Sequence, residues 1–405
     1  MRIYPPKSLT NRAIAVIILV VMLTQNVFIE GSGISPIKVS LMALMPLVFI
    51  IKVPYITKAL ILGAVYLFII FFSAIFHPET LRISTIGYLI MFVITFITLY
   101  NLIHRGAFSL SYFIKLLKWM ILAYVICLLC QQILVLLGIH FMPIVNLSNQ
   151  FFLAINKLPS LSLEPSHSAR IVGALMYAYM QCNGFLQGTP FRFKQLFEQE
   201  HKWVTIGFLW LMLTMGSGTA FIVLGVLALY FINWRNTLII GPIIAGLVYL
   251  GSQIGIEQLD RVYDTTEAAL TFDAEVIVKT DHSASFRILP MINTITNLDL
   301  TKKEHWFGYG IDSGLNGRQQ QMLMEITDYG FLAYICGLIL VFSCSIRFWS
   351  IPTIMYFIGI GGGTANVAYG WGILMIFMCV SYFYKHRNDS MIIYDEQIDT
   401  CHLHV

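Results

Sequence analysis

One short stretch combines side chains that could transfer a proton and bind an anion. His167 and Arg170, three residues apart, share one face of a helix that begins at Pro165, with Glu164 just before it. A carboxylate or an imidazole can take a proton, and an arginine near a helix N-terminus can hold an anion. The structural alternative is that Ser162 or Glu164 caps the helix while Arg170 reaches phospholipid head groups.

A second set of polar side chains lies further along the chain. Its members are His282, Ser285, Arg287, Tyr309, Arg318 and Asp328. The two arginines could bind an anion, and aromatic rings such as Tyr309 could stack on sugar rings. Their ordinary alternatives are solvated arginines, core or interfacial aromatics, and a helix-capping Asp328. Gly308 and Gly310 allow tight turns and a close approach of backbone segments.

The composition shows what kind of scaffold must position these groups. Of the 405 residues, 58% are hydrophobic and only 11% are charged, and the mean hydropathy is +0.76. A soluble domain has about 45–50% apolar and about 25% charged residues, so a soluble enzyme is excluded. We expect an all-α, polytopic integral membrane protein with about twelve transmembrane helices and one large outer helical loop.

Apolar segments long enough for membrane spans recur along the chain. The predicted spans are 12–29, 37–51, 59–76, 84–103, 118–139, 168–186, 203–215, 219–234, 237–252, 327–346, 351–365 and 367–384. Most of the 25 lysines and arginines fall in short loops on one side, which predicts that both termini are cytoplasmic. The formal net charge of +4 therefore does not indicate a nucleic-acid partner.

The spans divide the chain into four parts. Residues 1–252 hold nine spans and a short outer loop at 140–167, and residues 253–326 form the large outer loop. Three spans follow in 327–385, and 386–405 is a cytoplasmic tail. Helix-like spacing within the large loop predicts helices over 253–270 and 285–300.

Short motifs narrow the chemistry. The chain contains no Walker motif and no Asp-x-Asp motif on the outer side, so neither nucleotide hydrolysis nor a metal-dependent glycosyltransferase site is expected. The turn 215–219, Met-Gly-Ser-Gly-Thr, joins two spans and is expected to serve helix packing, with Ser217 as a cap. The glycine run near 361–366 is expected to serve packing or a hinge.

Four of these features together resemble the bacterial Wzy-type polysaccharide polymerases, which are related to O-antigen ligases. They are the Glu-Pro-Ser at 164–166, the turn 215–219, the Ser285-x-Arg287 that precedes Phe-Gly-Tyr-Gly at 307–310, and the Asp-Tyr-Gly-Phe-Leu at 328–332. The resemblance covers roughly 160–345. Met324-Glu325 stands where many members carry a His-Asn pair.

The resemblance implies a metal-independent membrane glycosyltransferase that needs no cofactor. Its substrates would be oligosaccharides linked to undecaprenyl pyrophosphate, its location the bacterial inner membrane, and its further partners membrane lipid and a chain-length regulator. Arg170, Arg287 and Arg318 would bind the pyrophosphate, and Glu164 or His167 would act as the base. Ser285, His282, Tyr309 and Asp328 would support them.

Three other functions fit part of the pattern. A glycan ligase would use the same donor with a lipid A-core acceptor. A polysaccharide flippase commonly has twelve spans, but transporters usually show repeated halves and broken helices at the midplane. A structural membrane subunit would need no polar site at all.

Overall fold

The described part of the chain is helical throughout its regular structure. The computed structural model describes residues 9–25, 36–52, 56–140, 142, 157–232, 282–311, 323–360 and 367–387, and no strand occurs among them. The helices before the large loop are α1 (Leu9–Leu23), α2 (Pro36–Lys52), α3 (Lys58–Ile75), α4 (Ile83–His104), α5 (Leu110–Leu136), α6 (Pro165–Gln187), α7 (Lys202–Thr214) and α8 (Gly218–Ala228). The helices within and after the large loop are α9 (His282–Asn297), α10 (Lys303–Phe307), α11 (Met324–Tyr329), α12 (Phe331–Cys344), α13 (Ile351–Ile360) and α14 (Ala368–His386).

Three of these helices, α3, α4 and α5, are long and apolar enough to cross a membrane. Four shorter apolar helices accompany them, at Leu9–Leu23, Lys202–Thr214, Gly218–Phe231 and Phe331–Cys344. Large apolar side chains also point outward from the bundle, among them Phe68, which is 69% exposed, and Trp119, which is also 69% exposed. Apolar surface of this kind needs a lipid environment, so the chain is a helical membrane protein.

Helix α6 lies inside the bundle rather than at its surface. Almost every side chain from Pro165 to Gly184 is buried, and α6 packs against α5, α8 and α14. A helix buried on all sides faces protein rather than lipid. It therefore tolerates polar residues such as Ser168 and Asn183, both of which are buried and hydrogen-bonded.

The observed helices follow the predicted spans closely in most places. The predicted fifth span at 118–139 in fact begins at Leu110, where the Ser109 hydroxyl accepts a hydrogen bond from the Tyr112 amide. The predicted tenth span at 327–346 is broken into α11 and α12 at Gly330, whose φ is 91°. The predicted span 237–252 lies outside the described residues, and twelve spans remain a prediction.

Contacts between helix ends divide the bundle into two opposite ends. Arg12 lies 4.7 Å from the ring centroid of Tyr112, which brings together the starts of α1 and α5. Phe113 packs on Phe383 at 5.6 Å, which adds the end of α14, and Lys58 donates to the Ser343 carbonyl, which joins the start of α3 to the end of α12. We call this the basic end, because it carries Arg12, Lys58, Arg105, Arg347, Lys385 and Arg387.

The predicted loop helix at 285–300 is present as α9, which begins earlier, at His282. Leu289 and Ile292 are buried as its spacing predicts, whereas Ile295 is 78% exposed. The amide of Leu323 donates to the Thr294 hydroxyl at 2.7 Å and so links α9 to the start of α11. The predicted loop helix at 253–270 lies outside the described residues.

Candidate functional site

Glu164 occupies the N-cap position of α6, but its side chain does not cap the helix. Its backbone is extended, with φ −136° and ψ 150°, and Pro165 follows as the first helical residue. The Glu164 carbonyl accepts the amides of His167 and Ser168, while its carboxylate accepts the Ser166 hydroxyl at 3.2 Å. The expectation that Ser162 or Glu164 caps this helix is therefore wrong. The Ser162 hydroxyl forms a hydrogen bond with the Ser168 hydroxyl instead, and the Glu164 carboxylate remains available for chemistry.

His167 lies between Glu164 and the end of α1. Its Nδ1 donates to Oε1 of Gln25 at 3.1 Å, and its Nε2 lies 3.8 Å from Oε2 of Glu164. Because an amide oxygen can only accept, the ring proton of neutral His167 is on Nδ1 and the lone pair is on Nε2. The Nε2 lone pair and the carboxylate thus lie side by side.

Arg170 is held by an aromatic residue from the start of α14. Its Nη1 donates to the hydroxyl of Tyr369 at 2.5 Å, and its guanidinium carbon lies 6.0 Å from the centre of that ring. In the part of the chain that the structure describes, no carboxylate pairs with Arg170 and its buried Nε has no hydrogen-bond partner. A buried, unsatisfied N–H is costly, and an anion brought to Arg170 would satisfy it.

The ring of Tyr369 also joins the two predicted site residues. It packs on the imidazole of His167 with ring centroids 4.4 Å apart, while its hydroxyl holds Arg170. The predicted shared face of His167 and Arg170 is therefore confirmed. We refer to Gln25, Glu164, His167, Arg170 and Tyr369 as the polar cluster.

The segment before α6 is fixed in place by neighbouring helices. The Gln25 amide donates to the Leu161 carbonyl at 2.9 Å, so the end of α1 is tied directly to this segment. Gln131 of α5 binds Ser160 through both ends of its side-chain amide, at 2.8 and 3.1 Å. The Ser168 hydroxyl donates to the Pro159 carbonyl. These bonds hold Glu164 in a defined position relative to the bundle.

The polar cluster lies at the end of the bundle opposite the basic end. It is formed by the end of α1 and the starts of α6 and α14, and the opposite ends of α1 and α14 lie at the basic end. Glu164 and His167 are partly accessible, with 43% and 21% of their side chains exposed. A proton acceptor and an arginine that no described carboxylate pairs with are thus presented at an open surface of an apolar bundle.

Tyr309 is the one residue of the second predicted set whose side-chain surroundings are fully described. The amide of Asp299 donates to Nδ1 of His305 at 2.7 Å, so Nε2 of neutral His305 carries the proton and donates to the Tyr309 hydroxyl at 2.8 Å. Burial, with a smaller contribution from Glu304, raises the pKa of Tyr309. Because the Tyr309 hydroxyl accepts this bond, its own proton can be donated to another group. The side chain is 40% exposed.

The glycines beside Tyr309 allow two backbone segments to meet. A Cβ on Gly308, whose φ is 80°, would lie 2.6 Å from the Asp328 carbonyl oxygen, and one on Gly330 would lie 2.1 Å from that of Trp306. The Tyr309 amide donates to the Thr327 carbonyl at 2.8 Å. The predicted close approach is confirmed. Asp328 lies inside α11 and is buried, and the alternative that it caps a helix stays a prediction.

Two contacts were not predicted from the sequence. Glu325, also in α11, is buried and accepts a hydrogen bond from the Tyr66 hydroxyl of α3. Gln25 and Tyr369 complete the polar cluster although neither was expected to do so. The only signal for Gln25 was an amide side chain inside the predicted span 12–29, which is too common to identify a site.

The remaining predicted site residues lie in or after α9, in the large loop. His282, Ser285 and Arg287 lie in the first two turns of α9, and the roles predicted for their side chains remain predictions. Arg318 lies outside the described residues.

Comparisons with known proteins identify no relative of this chain. The chain matches no protein-family model, and it shows no significant similarity to a curated protein or to a solved structure.

Proposed function

We propose that this protein polymerises lipid-linked oligosaccharide repeat units, in the manner of the Wzy-type polymerases that its motifs resemble. It would transfer a glycan from undecaprenyl pyrophosphate to a hydroxyl of a second lipid-linked unit. The observation that supports this proposal most is the polar cluster. It combines two proton acceptors with an arginine that pairs with no carboxylate among the described residues, at one open end of an apolar helical bundle.

The leaving group of this reaction requires a fixed positive charge. As the bond between the anomeric carbon and the pyrophosphate oxygen breaks, the undecaprenyl pyrophosphate gains negative charge. Arg170 is already oriented by Tyr369 and retains a free Nε–H, so it can stabilise that charge without first leaving another anion. In this proposal Arg287 and Arg318 contact the same pyrophosphate from the outer loop.

The acceptor hydroxyl requires a base. Nε2 of His167 and Oε2 of Glu164 are 3.8 Å apart, so one hydroxyl oxygen could lie within hydrogen-bond distance of both. The hydroxyl oxygen forms the new bond to the anomeric carbon, its proton passes to Glu164 or His167, and undecaprenyl pyrophosphate departs. Gln25 fixes the proton of neutral His167 on Nδ1 and so directs the lone pair toward the acceptor.

The charge distribution supports a reaction outside the cytoplasm. The basic end, which would face the cytoplasm by the positive-inside rule, lies opposite the polar cluster. The proposal therefore assigns the chain to the bacterial inner membrane, with both termini cytoplasmic and the reaction outside the cytoplasm. Sugar nucleotides are absent outside the cytoplasm, so the transferred glycan must come from a lipid-linked donor. The proposal assigns no metal or cofactor, since arginines provide the charge stabilisation.

A deletion strain tests this proposal. Without the gene, lipid-linked single repeat units should accumulate outside the cytoplasm, and the plasmid-borne gene should restore a ladder of chain lengths. Polymer that forms normally but is not attached to lipid A-core would indicate the ligase instead. Repeat units that remain on the cytoplasmic side would indicate the flippase. Either result would overturn the polymerase assignment.

A further inference from the structure

A group of cations lies close together at the basic end. Arg347, in the turn after α12, and Arg387, at the end of α14, both place their guanidinium groups on the ring of Tyr384, at 4.0 and 4.2 Å from its centroid. Lys58 and Lys385 lie beside them. We call Lys58, Arg347, Lys385 and Arg387 the cationic corner. Among the described residues, no carboxylate forms a salt bridge with any of the four.

The members of the cationic corner repel one another. Lys58 donates to the Ser343 carbonyl and lies 6.0 Å from the Tyr100 ring centroid, which holds its ammonium at the end of α12. Burial lowers the pKa of Lys385, and the neighbouring charges of Lys58 and Arg347 lower it further. Like charges held together cost free energy, and a bound anion would remove that cost.

The way in which the arginines are held suits a phosphate group. A guanidinium stacked on an aromatic ring uses its face for that contact and leaves its N–H groups free at the edge. These N–H groups match the oxygens of a phosphate in pairs. Because Tyr384 restrains both side chains in advance, less conformational entropy is lost when the anion binds.

The position of the cationic corner indicates where the phosphate comes from. All four side chains are exposed, and they lie where apolar helices α12 and α14 end and where α3 begins. Basic pockets between helices at the cytoplasmic surface are typical binding sites for anionic head groups. We infer that the cationic corner binds a phosphate group, and that this phosphate belongs to the head group of an anionic membrane lipid.

The inference is independent of the polymerase proposal, because the polar cluster lies at the other end of the bundle. It can be tested by native mass spectrometry of the full chain, with phosphatidylglycerol or phosphatidylcholine added in detergent. The wild type should retain phosphatidylglycerol. The double variant Arg347→Gln/Arg387→Gln should bind it at least about tenfold more weakly, because charge-assisted hydrogen bonds are lost.

Two further variants separate a specific site from general charge. Lys194→Gln/Lys202→Gln removes the same charge from exposed positions at the basic end and should bind phosphatidylglycerol like the wild type. Arg347→Lys/Arg387→Lys keeps the charge and should still bind more weakly than the wild type, since an ammonium lacks the paired donors. The inference would be overturned if both glutamine double variants lost phosphatidylglycerol binding to the same extent. It would also be overturned if the wild type bound phosphatidylglycerol and phosphatidylcholine equally well.

Two competing anions give distinct results. If inorganic phosphate alone raises the melting temperature through Arg347 and Arg387 and phosphatidylglycerol does not, the lipid source is wrong. The chain also carries carboxylates after Arg387, at Asp389, Asp395, Glu396 and Asp399. If only a variant with these four neutralised binds phosphatidylglycerol, the chain itself occupies the corner and the lipid assignment is overturned. Binding that is the same with and without them supports the assignment.

Discussion

Gln25 and His167, 142 residues apart, are joined by a hydrogen bond of 3.1 Å from the imidazole Nδ1 to the amide oxygen. This contact determines which nitrogen of the neutral ring carries the proton. It leaves Nε2 as an acceptor beside the Glu164 carboxylate. The end of α1 therefore takes part in orienting the imidazole that α6 provides.

Gln25→Glu should change the pH dependence of polymerisation. A carboxylate beside the imidazole favours its protonated form, so a higher pH is needed to free the base. The acid limb of the pH–rate profile should therefore move to higher pH. Gln25→Leu, which removes the acceptor for Nδ1–H, should lower the rate without such a shift. A profile that stays unchanged in Gln25→Glu would show that His167 does not act as the base.

Glu164→Gln and His167→Gln should each reduce polymerisation. Loss of a positioned general base costs about 10²–10⁴-fold in rate, and whichever substitution has the larger effect identifies the base. Rates can be measured as the conversion of single lipid-linked units to longer products at equal protein abundance. Glu198→Gln, an exposed glutamate at the other end of the bundle, should retain full activity. Full activity in both site variants would exclude the proposed proton transfer.

Arg170→Gln should reduce the rate by about 10²–10³-fold, the usual cost of losing one donor to a developing negative charge. Arg170→Lys should recover part of the activity, because the charge returns without the paired donors. Tyr369→Phe removes the hydroxyl that holds Arg170 and should lower the rate less than Arg170→Gln does. If Tyr369→Phe is as inactive as Arg170→Gln, Tyr369 has a role beyond positioning the arginine.

Gly330→Ala should destabilise the protein. Its φ of 91° disfavours any other residue, and the added Cβ would lie 2.1 Å from the Trp306 carbonyl oxygen, so a cost of at least about 1–3 kcal/mol is expected. Gly87→Ala is the matched control, since a Cβ there meets nothing within 4 Å. Thermal unfolding in detergent should show a lower melting temperature for Gly330→Ala alone. Equal melting temperatures would mean that the junction between α11 and α12 can rearrange.

The arrangement of the two ends can be tested by labelling. In a background without the native cysteines, Glu79→Cys, exposed between α3 and α4, should react with a membrane-impermeant maleimide added to intact spheroplasts. Lys194→Cys, exposed at the basic end, should react only after the membrane is permeabilised. The reverse pattern would place the polar cluster in the cytoplasm.

The sequence was sufficient to predict most helices, because long apolar segments can satisfy their backbone hydrogen bonds in lipid only as helices. It also predicted the shared face of His167 and Arg170, since helical spacing is a local property. The break at Gly330 could not be predicted, because it depends on the approach of the Trp306 backbone from another part of the chain.

Contacts between residues far apart in the sequence could not be predicted from local patterns either. Gln25 and Tyr369 reach α6 only because α1, α6 and α14 pack together at one end, and Glu325 meets Tyr66 through the packing of α11 on α3. Local spacing does not specify which helices become neighbours. The alternative in which Glu164 caps α6 was also undecidable from sequence, since an N-cap position does not determine the direction of its side chain.

The most direct test of the proposed function is a reaction with the purified protein and repeat units linked to undecaprenyl pyrophosphate. We expect lipid-linked products of increasing length, with one undecaprenyl pyrophosphate released for each unit added, and loss of both in Glu164→Gln and Arg170→Gln at equal folded abundance. Release without chain growth, or full chain growth in both variants, would contradict the assignment of the polar cluster as the polymerase site.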